Sequence, residues 1–362
     1  MVQIVRVLAL AAAVGVGGAQ AVTLEFGVSY ARPGGSPLWA EAGVSDLPLL
    51  GGTVTAVAGT RAARLGYARG LTLPPLGAVS ATTDLTVTWQ GGVRLASRAS
   101  GSVGPLALNL GAAAFTTSAT AADPNAAFTE TATDLRERGV SGDLTLRYRL
   151  SREVVAVVGG EFGAQPHLLV GVEGRRVLTR PVQGTEAAED AEPMAADPLP
   201  DAVPSDTLPT EPPTSSEVAP DEPAPDESAL AEPEVEPVGT LSWRLGARAG
   251  RDVLGLSGGL SYATEAGLTL ALDALVGPHT LGLTGSAAWN EVLGEGSTLR
   301  LYAAYEPWRT VSSPLRAGVE ATLAAGPGTL GVQVNGGRRL DGAAGVGLRV
   351  SYALPLAGTD SP

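Results

Sequence analysis

Few residues in this chain have the types and spacing that chemistry needs. Gly255-Leu256-Ser257-Gly258-Gly259 fits the G-x-S-x-G form of a nucleophile elbow. That elbow requires a strand, a sharp turn and a helix, with a histidine and an acid in reach. Here the flanking residues alternate as in a strand, and with 48 glycines a chance match is expected. Gly326-Pro327-Gly328-Thr329-Leu330-Gly331 matches G-x-G-x-x-G, but Pro327 and the strand-like Val332-Gln333-Val334 leave no helix for a pyrophosphate to rest on. It reads as a hairpin turn. The two histidines, His167 and His279, each lie beside a proline and do not cluster. No cysteine is present, which excludes thiol chemistry, disulfides and Cys-ligated metals. The expectation is no catalytic residue, no metal, no cofactor and no enzyme. The absence of a basic stripe argues against nucleic acid as a partner.

What remains is a set of charged residues sharing one alternating register: Arg147, Arg149, Arg244, Arg248, Arg300, Arg316, Glu320 and Arg349. The elements that carry them are strands. Val22–Tyr30 sets Val22, Leu24, Phe26, Val28 and Tyr30 against Thr23, Glu25, Gly27 and Ser29. Asp143–Leu150 opposes Leu144, Leu146, Tyr148 and Leu150 to Thr145, Arg147 and Arg149. The same period of two runs from Leu241 through Leu354. Alternation of this length specifies half-buried strands rather than helices. Turn residues separate the runs, as at Gln90-Gly91-Gly92 and Asn335-Gly336-Gly337. No segment reads as a crossover helix, so the strands should pair antiparallel in sequence order.

Two segments stand apart. Met1–Ala21 has one early arginine, an apolar run over Val7–Val16 and the small-x-small triplet Ala19-Gln20-Ala21. That order specifies a secretory signal peptide, cleaved before Val22. Between Gln183 and Val238 lie 16 acidic residues and no basic one, and Pro181–Pro237 holds 13 of the 27 prolines. Such a tract should remain disordered. Outside it and the signal, 23 arginines face 21 acids, so the formal charge of −13 belongs to the tract alone. The expected domains are a signal peptide over 1–21, a first barrel part over 22–180, an acidic linker or loop over 181–238, a second barrel part over 239–355 and a flexible tail over 356–362.

No stretch offers the roughly 18 apolar residues of a membrane helix. A membrane-spanning form must then be a closed barrel, which satisfies every backbone polar group. At about 15–20 residues per strand and connection, the chain yields roughly 14–18 strands. Alternating strands also suit a soluble exported β-protein with an apolar core. Aromatic residues near strand ends (Tyr30, Trp89, Tyr262, Trp289, Tyr305) favour the membrane form.

With its signal Met1–Ala21, its dyad strands and the terminal Leu348-Arg349-Val350-Ser351-Tyr352, the chain resembles bacterial outer-membrane β-barrel proteins of the porin-like kind. The resemblance is architectural, and the chain departs from it by continuing past Tyr352 to Pro362. It implies an exported protein of the outer membrane, an all-β closed antiparallel up-and-down barrel, lipid as surroundings and small solutes or ions as cargo. The shared register would turn the eight charged residues toward the lumen, favouring anions or pairing with Glu25, Asp84, Asp273 and Glu320. The alternative is a non-conducting envelope protein whose barrel anchors an acidic tether to envelope proteins or polymers.

Overall fold

The computed structural model describes residues 22–32, 38–74, 77–181 and 235–356. The expected signal peptide, nearly all of the acidic tract and the end of the tail lie outside the described residues. Strand conformation continues to Pro181, resumes at Val235 and runs through Leu356. The unit 179–237 contributes only strand ends to the description, where Arg180 and Glu236 pair in solvent at 3.5 Å.

The other unit is a closed barrel of 18 antiparallel strands. They are β1 (Val22–Arg32), β2 (Leu38–Leu49), β3 (Gly52–Gly59), β4 (Ala62–Leu73), β5 (Gly77–Thr88) and β6 (Val93–Val103). There follow β7 (Leu106–Phe115), β8 (Gly139–Arg149), β9 (Val154–Phe162), β10 (His167–Pro181), β11 (Val235–Gly250) and β12 (Leu254–Thr264). The last six are β13 (Leu268–Gly277), β14 (Thr280–Asn290), β15 (Thr298–Tyr305), β16 (Leu315–Ala325), β17 (Gly328–Arg338) and β18 (Ala344–Leu356). Each strand pairs with its successor, and β1 closes the ring on β18 through Val22↔Leu356 to Arg32↔Val346. Closure leaves no sheet edge, the condition for strands in lipid.

Pleat and register then sort side chains by parity. Val140, Leu168, Leu245 and Leu256 point outward at 66%, 61%, 61% and 71% exposure. Residues of the inward parity include Ser29, Asn335 and Arg316, each 2% exposed or less. Apolar outside and polar inside is the reverse of a soluble β-protein and matches a barrel solvated by lipid. This is outer-membrane-type, porin-like architecture, and it decides against an apolar-cored soluble barrel.

The two motifs met at the outset take their places as sequence context required. Gly255–Gly259 lies inside β12, with Ser257 opposite Leu275 in the ladder. Gly326 and Pro327 form the β16–β17 turn, Gly326 at φ 59°.

Candidate functional site in the barrel lumen

Two connections fold into the barrel instead of leaving it. The longer joins β7 to β8. Ser118 caps the short helix α1 (Ala119–Ala122), its Oγ accepting from the Thr120 N–H at 3.3 Å. Asp123 does the same for the 3-10 turn Pro124–Ala127, accepting from Asn125 N–H at 3.0 Å. These caps fix a compact chain path where no alternation could build a strand. The Asp123 carboxylate also meets Arg349 of β18 at 2.9 Å and Arg64 of β4 at 3.5 Å. Asn125 sits against Gly347, where any Cβ would overlap its Oδ1. Phe128 is 3% exposed, and its carbonyl accepts from the Tyr302 hydroxyl at 2.7 Å. Further on, Arg136 pairs with Asp134 at 2.6 Å, and that hydrogen bond holds the Arg136 guanidinium above its ordinary pKa.

The second connection, between β15 and β16, is pinned across its base by Glu306 N–H to Pro314 O at 2.7 Å. Gln165, in the β9–β10 connection, grips it twice: its Nε2 donates to Trp308 O at 2.8 Å and its Oε1 accepts from Thr310 N–H at 2.9 Å. Arg309 pairs with Glu306 at 3.1 Å and Glu161 at 3.3 Å. Burial raises the cost of charge on Glu306, but Arg309 and Arg316 outweigh it and hold the carboxyl below its usual range. Burial likewise opposes the charge on Arg309, which Glu161 and Glu306 more than offset.

Arg316 of β16 joins the two. Its Nη1 donates to Ser313 O at 2.7 Å and its Nη2 to Glu306 Oε2 at 2.5 Å, both in the shorter segment. Its Nε reaches Thr129 O at 3.1 Å and Nη2 also reaches Glu130 O at 3.3 Å, both in the longer one. The Leu135 N–H adds a direct bond to Val311 O at 2.9 Å. Guanidinium's rigid fork of donors suits such a junction of carbonyls and one carboxylate.

All eight charged residues singled out from the sequence fall on the inward parity of their strands, but they are not one cluster. Arg147 pairs with Glu173 at 3.0 Å, and Arg244 with Asp273. Arg300 pairs with Glu130, and Arg349 reaches Glu41 at 3.3 Å as well as Asp123. Glu320 accepts from Gln333 at 3.0 Å rather than from Arg300, its cross-strand neighbour. Arg149 is exposed near the end of β8. Of the four expected acid partners only Asp273 pairs with one of these arginines. Glu25 and Asp84 form no ion pair among the described residues. The partners that sequence reasoning missed, Glu41, Asp123, Glu130, Glu173 and Glu306, sit mostly in the inward segments. The one clue to them is the 23-residue gap between the alternating strands β7 and β8. His167 is buried near Trp308, whereas His279 is exposed in the β13–β14 turn. Among the described residues no group of three His, Cys, Asp or Glu could hold a metal.

No family model matches this chain, and no curated protein does. Among solved structures, a triple variant of the Rh. blastica porin overlaps 93% of this chain and 99% of its own at 8% identity and a TM-score of 0.41. The outer membrane protein OpdK of Pseudomonas aeruginosa overlaps 93% and 98% at 11% identity and 0.43. At that level of superposition they decide nothing about function, and the lumen must be read from its own residues.

Proposed function

We propose that this chain is a passive diffusion channel of the bacterial outer membrane, admitting small polar solutes through a lumen lined by arginines. The observation that carries this reading is the pairing of an apolar exterior with a charged interior into which two segments fold. Inward segments narrow a lumen and set its charge, the two levers of selectivity in an aqueous pore. A cavity of about 490 Å³ persists beside them, lined by residues from β8 to β16. Arg147, Arg149, Arg244, Arg248, Arg300, Arg316 and Arg349, with Glu320 among them, are the candidates for lining the path.

Steady conductance steps on adding the purified, detergent-solubilised chain to planar bilayers test the reading. Silence from protein that shows heat-modifiable gel migration, the mark of a folded barrel, would end it. One observation favours the alternative of a non-conducting envelope anchor: Arg316 and the Leu135–Val311 bond tie the two segments to each other across the interior.

A further inference from the structure

The outward face of the barrel carries little charge, and that charge is of one sign. Among the described strand residues with ladder partners, every carboxylate has the inward parity, whereas Arg32, Arg69 and Arg338 have the outward one. A surface facing water mixes both signs. One facing lipid headgroups meets phosphates, and only cations suit them. Arg69 stands by itself on β4, but the other two are near neighbours.

Arg32 ends β1 and Arg338 ends β17, with only β18 between them. Arg32 lies opposite Val346, and Arg338 opposite Ala344. Two interstrand spacings and an offset of two residues put their Cα atoms about 12 Å apart, a gap that two arginine side chains can close. Both residues are exposed. Arg338 Nε donates to Gly342 O at 3.0 Å, which fixes the stem against the turn and leaves its Nη groups without a partner among the described residues. The Arg32 guanidinium makes no hydrogen bond or ion pair among them either. Asp341, the one acid of the β17–β18 turn, pairs with Arg339 at 3.6 Å, and residues 33–37 carry no charge.

Beside the pair the wall turns apolar. Tyr30, Val346 and Leu348 face outward at 36%, 48% and 40% exposure, with Tyr30 directly opposite Leu348. Tyrosine at such a position marks the boundary between headgroups and hydrocarbon. Both inward segments arise at this same end of the barrel, whereas short turns such as 50–51, 104–105 and 326–327 join strands at the other. Longer connections outside and short turns on the periplasmic side place the arginine pair at the outer leaflet.

We propose that Arg32 and Arg338 clamp the phosphate of an anionic lipid in that leaflet, with an acyl chain lying along Tyr30, Val346 and Leu348. Guanidinium presents paired donors to phosphate oxygens. The apolar strip commits the site to a lipid, since a free phosphate gains nothing from three apolar side chains. The clamp straddles the closing ladder between β1 and β18, so one lipid bridges the seam of the ring. Lying on the outer wall, the site is independent of whether the lumen conducts.

Native mass spectrometry of the full, detergent-folded chain, titrated with dioleoyl phosphatidic acid or dioleoyl phosphatidylcholine, tests this. A single phosphatidic acid adduct should saturate at concentrations where phosphatidylcholine gives none. R32Q/R338Q should weaken that adduct at least tenfold, while R69Q, which removes the solitary outward arginine on β4, should leave it unchanged. Equal retention of the two lipids, unchanged affinity in R32Q/R338Q, or a loss of the same size in R69Q would overturn the site. Displacement of the lipid by millimolar inorganic phosphate would also overturn it, because the arginines would then serve the free ion. Should R32Q/R338Q fail to give heat-modifiable protein, A344E decides. It sets a carboxylate opposite Arg338 at the rim and keeps both arginines; weakened binding is expected, and unchanged affinity there overturns the proposal.

Discussion

The Arg316 guanidinium, 1% exposed, meets the Glu306 carboxylate at 2.5 Å, so that one charge pair inside the lumen fixes the base of the second inward segment. Removing one member of such a pair strands the other in a place water does not reach, which typically costs about 3–5 kcal/mol. Glu306 retains some solvent access and shares Arg309, so E306Q should destabilise by about 3 kcal/mol or somewhat less. The heat-modification temperature of the barrel and its urea midpoint in lipid vesicles would report the loss.

The same carboxyl gives a pH dependence. Its folded-state pKa is depressed below the ordinary value, so its contribution is complete above the unfolded-state pKa, about 4.3 for a free Glu. It is lost as pH falls from there through the depressed folded value. Stability should therefore decline below about pH 4 in the parent chain, and this component of the decline should be absent in E306Q. Parallel acid profiles for the two chains would show that the pair is not the acid-sensitive element.

Strand parity yields a mutational contrast within two adjacent residues. Leu146 lies on the outward face of β8, between Leu108 and Val158, and Thr145 faces inward between Asn109 and Gly159. Leu146→Arg should destabilise the barrel by about 2–4 kcal/mol if it lies near the bilayer midplane. Thr145→Arg should be tolerated in the polar interior. Equal losses in refolding titrations would break the assignment of faces.

Asp123 ties the longer inward segment to both Arg349 and Arg64. Asp123→Ala removes a negative charge from the interior, frees Arg64 of this partner and leaves Arg349 with Glu41 alone. On the channel reading, the reversal potential in a KCl gradient should shift toward greater chloride preference, and the shift should shrink as salt rises, because screening falls to about 3 Å at 1 M. An unchanged reversal potential would place the ion path away from Asp123.

Neighbouring strands β10 and β11 are hydrogen-bonded in the ring although 53 residues of sequence, 182–234, separate their described ends. Replacing 183–234 by a short Gly-containing turn should leave the barrel able to fold, since closure entropy depends only weakly on loop length. Loss of the heat-modifiable form in the deletion would assign the acidic segment a part in folding.

The strands were legible because period two is written locally. Leu144, Leu146 and Tyr148 against Thr145 and Arg147 state a face with no knowledge of the partner strand. Strand number fell within the expected range. The partners of the eight charged residues were not legible. Arg349 meets Asp123, 226 residues away, and Arg300 meets Glu130. Nothing in the spacing of Thr117–Arg138 announces that it turns inward, because its caps are local and its anchors lie on strands that adjoin it only once the ring has closed. Trp308 was hidden for the same reason, held by Gln165 at a separation of 143 residues.

The ties that Arg316 makes to Thr129 and Glu130 also say something about the order of events in assembly. The strand hairpins join near neighbours and can form early, whereas these bonds span 187 and 186 residues. Long-range contacts repay their closure entropy late. Before β16 takes its place, the carbonyls of Thr129 and Glu130 lack their donor, and the longer segment lacks its second anchor. The interior therefore acquires its final width after the wall is built, which makes the junction at Arg316 a record of completed assembly.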